Sequence, residues 1–86
     1  MRFQGSLIEE QGVTFGVVVV RHEVLSNRAE ANRLIEAFGT QIFHAPVVLM
    51  AQDSRGVPSY YGRRDIARFM ANVPIQAIPW KEYTLR

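Results

Sequence analysis

The run Val13-Thr14-Phe15-Gly16-Val17-Val18-Val19-Val20-Arg21 constrains this chain more than any other stretch. Its β-branched residues lose χ1 freedom in a helix and pack well on a pleated surface. A strand with one wet face would alternate apolar and polar residues. A continuous apolar run is expected instead of a central strand buried on both faces. The run is far short of the roughly 20 apolar residues that a membrane-crossing helix needs. No apolar signal-peptide core follows Met1. The expectation is one soluble, cytoplasmic domain over residues 1–86, with no membrane partner.

Around that strand the sequence spells out further elements. Residues 1–12 read as an N-terminal strand, Phe3 to Glu10, turning at Gln11-Gly12. A single helical turn is the alternative, because Ser6 and Glu9 have capping-box spacing. Ala31, Leu34, Ile35 and Phe38 follow the i, i+3, i+4, i+7 rule of a half-buried helix. Ser26 or Asn27 is expected to cap its start, and Gly39 its end. Arg28, Asn32, Arg33 and Glu36 fall on its solvated side. Val47 to Ala51 reads as a strand, Asp53 to Gly56 as a turn, and Val57 to Tyr61 as an antiparallel partner strand. Pro58 marks that partner as an edge or a strand start.

A second helix is expected from about Arg63 to Val73, with Ile66, Phe69, Met70 and Val73 as its apolar stripe and Pro74 as its stop. Residues 75–86 form a tail or an edge strand, about Trp80 to Leu85. Trp80 either caps the core or joins Tyr83 in a docking surface. The order is β-(β)-α-β-β-α-(β). The fold class is α/β or α+β, a small mixed sheet with two amphipathic helices.

The segment Ala45 to Met50, the turn ending at Gly56, then Gly62 and the helix ending Phe69 to Val73, resembles the C-terminal half of thioredoxin-like domains. The passage from Val17 to Arg21 through His22-Glu23-Val24-Leu25 is similar to that family's first strand and active-site loop. The resemblance spans residues 13–73 at the level of pattern. It implies a truncated thioredoxin-like fold with Pro46 cis and lying beside the His22–Asn27 loop. The family's redox cysteines are missing, since the chain has no cysteine. Thiol oxidoreduction and thiolate metal sites are therefore excluded for these 86 residues.

Charge is unevenly placed. Residues 1–40 carry four Arg and five Glu, whereas residues 41–86 carry six basic and three acidic residues. Within the second part, Tyr60-Tyr61-Gly62-Arg63-Arg64-Asp65 leads into the helix, and Arg68 follows one turn on. Cations in a first helical turn oppose the helix dipole, and Arg64 and Arg68 repel at i, i+4. A phosphate, a carboxylate or an acidic partner bound there would relieve both. Pairing of Arg63 or Arg68 with Asp65 would relieve them without a ligand. Arg63, Arg64, Arg68, Tyr60 and Tyr61 are thus the candidate anion or partner site. One of the two tyrosines is expected to face outward, where its ring can stack.

His22, Glu23, His44 and Pro46 form a second candidate site, since the thioredoxin-like arrangement would bring them to one pole. Neither histidine has a second ligand at metal-binding spacing, so no metal or other cofactor is expected. No nucleophile elbow or phosphate-cradling glycine loop is present. The leading expectation is a non-catalytic protein-interaction module whose partner is another protein or a second copy of the chain, with a homodimer formed through open strand edges. Nucleic-acid binding is the first alternative, disfavoured by a net charge of only +2. A small enzyme, or a subunit of one, using the two histidines is the other.

Overall fold

The computed structural model describes residues 1–84. Strand β1 (Arg2–Glu10) and strand β2 (Val13–Val19) form an antiparallel hairpin. Its two turn residues, Gln11 and Gly12, both have left-handed φ, 53° and 79°. Two such residues make the turn whose twist matches that of paired strands. The chain then crosses over through α1 (His22–Ser26), α2 (Arg28–Phe38) and one π-helical turn (Gly39–Phe43). It returns as β3 (Val47–Gln52), parallel to β2. A tight turn leads to β4 (Pro58–Tyr61), antiparallel to β3. After α3 (Arg64–Ala71) and a short 3₁₀ turn (Ile75–Ala77), β5 (Lys81–Thr84) pairs with the far side of β1. The sheet order is β4-β3-β2-β1-β5. This is a small mixed α+β domain in which β2 is the central strand.

Both faces of that strand are covered. Val17 and Val18 are adjacent, point to opposite faces and are each 0% exposed. Val18 packs with Ala31, Phe38, Phe43 and Leu49 beneath α2. Val17 packs with Val48, Met50, Ile66 and Met70 beneath α3. The continuous apolar run is thus the sequence of a strand between two helical layers. Fully burying one such side chain is worth about 1.5–3 kcal/mol.

Gly39 takes the C-cap position of α2 as expected, but it is right-handed helical, so the chain runs straight on into the π-helical turn, which His44 closes with φ 53°. The lack of a side chain at Gly39 serves close packing, since a Cβ there would lie 3.0 Å from the Ala45 carbonyl oxygen. Residues His22–Ser26, expected as a loop, form α1. The peptide bond before Pro46 is trans, not cis. Tyr60 and Tyr61 do not divide into one core-facing and one outward-facing ring: both are half-buried, each on a face of the sheet that carries a helix. Asn27 caps α2 as expected, accepting a hydrogen bond from the Glu30 backbone N–H at 3.1 Å. The C-terminal strand is present over Lys81–Thr84, and Leu85 lies outside the described residues. Trp80 is half-buried against the core, and its indole N–H donates to the Ile75 carbonyl at 3.3 Å. No helix among the described residues is long and apolar enough to cross a membrane.

Candidate functional site

Strand β4 lies at one end of the sheet, so one of its sides is open. Which of its main-chain groups face outward follows from the turn before it. Asp53 N–H donates to the Val57 carbonyl at 3.0 Å. The Asp53 carboxylate holds the turn by accepting from the N–H groups of Arg55 and Val57, at 2.8 and 2.9 Å. Hydrogen-bonded pairs alternate along an antiparallel ladder. With the observed register, Ser59 and Tyr61 bond to β3, while the main-chain groups of Pro58 and Tyr60 point away from the sheet. Pro58 has no N–H. Tyr60 N–H and C=O therefore form an open donor and acceptor pair, and no backbone partner for them occurs among the described residues.

The two tyrosines tie this edge to the two helical layers. Tyr61 faces α2. Its hydroxyl donates to Asn32 Oδ1 at 2.8 Å, and the Arg28 guanidinium lies 4.5 Å from its ring centroid. Tyr60 faces α3. Its hydroxyl oxygen is buried without a hydrogen-bond partner, and burial pushes its pKa above the usual tyrosine value. Neither ring is presented as a free stacking platform.

Gly62 sets where α3 begins. Its φ of 151° is unfavourable for other residues, and a Cβ would meet Val48 Cγ1 at 2.8 Å and the Val47 carbonyl at 3.0 Å. The chain passes tightly over β3 at this point and enters α3 at once. Arg64 and Arg68, one turn apart, then run beside β4.

Arg63 is engaged internally. Its Nε and Nη2 donate to the two carboxylate oxygens of Asp65 at 2.9 and 2.8 Å. This fork holds the Asp65 carboxyl below the usual aspartate range and raises the Arg63 guanidinium further. Arg64 and Arg68 make no ion pair among the described residues. With Arg28 from the other layer they rim a shallow groove of about 380 Å³ over Tyr60 and Tyr61. Of the residues expected from sequence, Tyr60, Tyr61, Arg64 and Arg68 therefore come together, and Arg63 is answered by Asp65. Arg28 joins them unforeseen. Its only sequence signal was its place on the polar side of α2.

The second candidate cluster is not assembled. β2 and β3 are parallel. His22 and Glu23 follow the C-terminal end of β2, whereas His44 and Pro46 precede the N-terminal end of β3. They lie at opposite ends of the sheet, with Pro46 beside Gly16, whose N–H donates to the Pro46 carbonyl at 2.8 Å. No cluster of three or more His, Cys, Asp or Glu suited to a metal occurs among the described residues. The chemistry gathered at β4 is that of three guanidinium groups around an open main-chain donor and acceptor. Such a set can bind carboxylates and extend a sheet. Comparison with protein-family models, curated proteins and solved structures found no match.

Proposed function

We propose that this chain is a non-catalytic protein-interaction module that receives an acidic, extended segment along β4. One observation carries the proposal: the open edge at Tyr60 is flanked by guanidinium groups from both helical layers, Arg28 on one side and Arg64 and Arg68 on the other. Added strands gain affinity from main-chain hydrogen bonds and specificity from side-chain contacts beside them. Here the side-chain contacts would be charge-assisted bonds to carboxylates on both faces of the added strand. Two β4 edges brought together would instead oppose arginine to arginine. That disfavours a homodimer through this edge and favours an acidic partner.

Base stacking has less support, because Arg28 covers Tyr61 and the Tyr60 hydroxyl end is buried. An enzyme built on the two histidines has lost its shared pole. The test is an amide-resolved NMR titration with a synthetic peptide alternating aspartate and valine. Shifts should concentrate at Ser59–Gly62, Arg28, Arg64 and Arg68, and should vanish in the folded Arg64→Glu/Arg68→Glu variant. Shifts elsewhere, or shifts that persist in that variant, overturn the proposal.

A further inference from the structure

The groove along β4 spans three residues, Tyr60, Tyr61 and Gly62, and its guanidinium groups are shared unequally between the two helical layers. Arg28 stands alone on the α2 side, over the Tyr61 ring. Arg64 and Arg68 stand together on the α3 side, both exposed. None of the three makes an ion pair among the described residues. Arg63 is left out of this count because its fork to Asp65 already neutralises it.

Strand geometry turns that count into a sequence requirement. A residue added opposite Tyr60 directs its side chain to the same face as Tyr60, the face of α3. The next residue, opposite Tyr61, faces α2 and lies beside Arg28. The one after it, opposite Gly62, faces α3 again. Three consecutive residues along the groove therefore face α3, α2 and α3. The arginines match, two on the α3 side and one on the α2 side. This holds whichever way the added strand runs, because the alternation of faces does not depend on direction.

The spacing agrees. α3 follows directly on the end of β4, and Arg68 still lines the groove, so the helix doubles back along the strand. Arg64 and Arg68 are one turn apart, roughly 6 Å along the helix axis. Alternate residues of a strand are about 6.6 Å apart. Two carboxylates on alternate residues thus keep step with the two arginines, and a single one leaves a guanidinium unanswered. Arg28 calls for a third carboxylate on the residue between them.

We infer that the segment received by β4 carries three consecutive acidic residues, the outer two directed at Arg64 and Arg68 and the middle one at Arg28. This rests on the β4 reading above and adds the sequence that the partner must present. These 86 residues contain no such run, and Glu9-Glu10 is the longest they have. The occupant is therefore not a second copy of them. Selectivity follows from the same geometry. A segment whose charges all fall on one face answers one helical layer and leaves the other unpaired.

The test compares two seven-residue peptides of identical composition, three aspartates and four valines. In one the aspartates are consecutive at the centre. In the other they alternate with valine, so that when two of them meet Arg64 and Arg68 a valine lies beside Arg28. Affinities are read from the amide shifts of Tyr60 and Tyr61. The consecutive peptide should bind about three-fold tighter, the worth of one added ion pair at an exposed rim. Arg28→Ala should erase that difference by weakening the consecutive peptide alone. Arg28 is exposed, and circular dichroism checks that the variant is folded. Equal affinities in the unaltered chain, or an advantage that survives Arg28→Ala, would overturn the inference and leave the β4 site standing. If neither peptide binds, the β4 site itself fails, and the inference with it.

Discussion

Replacing Gly16 with alanine tests how the π-helical turn is seated on the sheet. Phe43, at the end of that turn, lays its ring across β1 and β2 above two glycines. A Cβ at Gly16 would lie 2.7, 2.8 and 3.0 Å from Phe43 Cγ, Cδ2 and Cδ1. Carbon atoms rest at about 3.5–4.0 Å, so the ring must retreat by roughly 1 Å. It has little room, since Tyr83 stands 5.1 Å and Phe3 6.5 Å from its centroid, and Phe43 is only 8% exposed. Overpacking of this kind costs about 1–3 kcal/mol, and expelling the ring forfeits about 1.5–3 kcal/mol of burial. We expect Gly16→Ala to destabilise by about 2–3 kcal/mol, a fall in melting temperature of roughly 8–24 °C for a domain of this size.

Urea unfolding of a double-mutant cycle identifies the cause. In a Phe43→Ala background the added methyl enters vacated space, so Gly16→Ala should cost less than about 0.5 kcal/mol, within the usual error of additivity. Phe43→Ala is itself expensive, about 3–5 kcal/mol, so the cycle is best run with a stabilising osmolyte in every sample. If Gly16→Ala costs the same in both backgrounds, Phe43 is not its steric opponent and the seating described above is wrong.

Two further outcomes follow from single contacts. Asn27→Ala removes the acceptor for Glu30 N–H and should cost about 1 kcal/mol in urea, with Asn27→Asp restoring most of it; no loss would show that the cap adds nothing. Tyr60 is the case in which burial raises a pKa, so its contribution is intact below the ordinary tyrosine value of about 10 and is lost as pH rises from there through its raised folded value. Tyr60→Phe should therefore remove the late phenolate step from an ultraviolet alkaline titration and flatten the loss of stability above pH ~10. At neutral pH it should change stability by less than about 1 kcal/mol, because the hydroxyl has no partner to lose. A larger loss at neutral pH would mean that the hydroxyl has a hydrogen bond in solution.

Local patterns announced most of the elements. The β-branched run gave β2, the i, i+3, i+4, i+7 stripes gave α2 and α3, and Asn27, Pro58 and Pro74 marked boundaries near where they occur. What failed was legislated by tertiary contact. Gly39 does cap α2, yet its missing side chain admits the Ala45 carbonyl, so the chain keeps coiling beyond it and His44 takes the left-handed position that a helix-ending glycine usually holds. The two histidines looked like one site only while the direction of β3 was open. A parallel β3 sends its preceding residues to the far end of the sheet from those that follow β2.

The candidate site divides along the same line. Arg64 and Arg68 were legible because their conflict with the helix dipole and with each other is local to one turn of helix. The answer to Arg63 was local too, a fork two residues long. Arg28 was not legible, since only the sheet order brings the start of α2 over Tyr61. The open edge was least legible, because an edge depends on which strand stands last and not on what it contains. β4 is an edge only because the chain leaves it for α3 and returns as β5 beside β1, at the other end of the sheet.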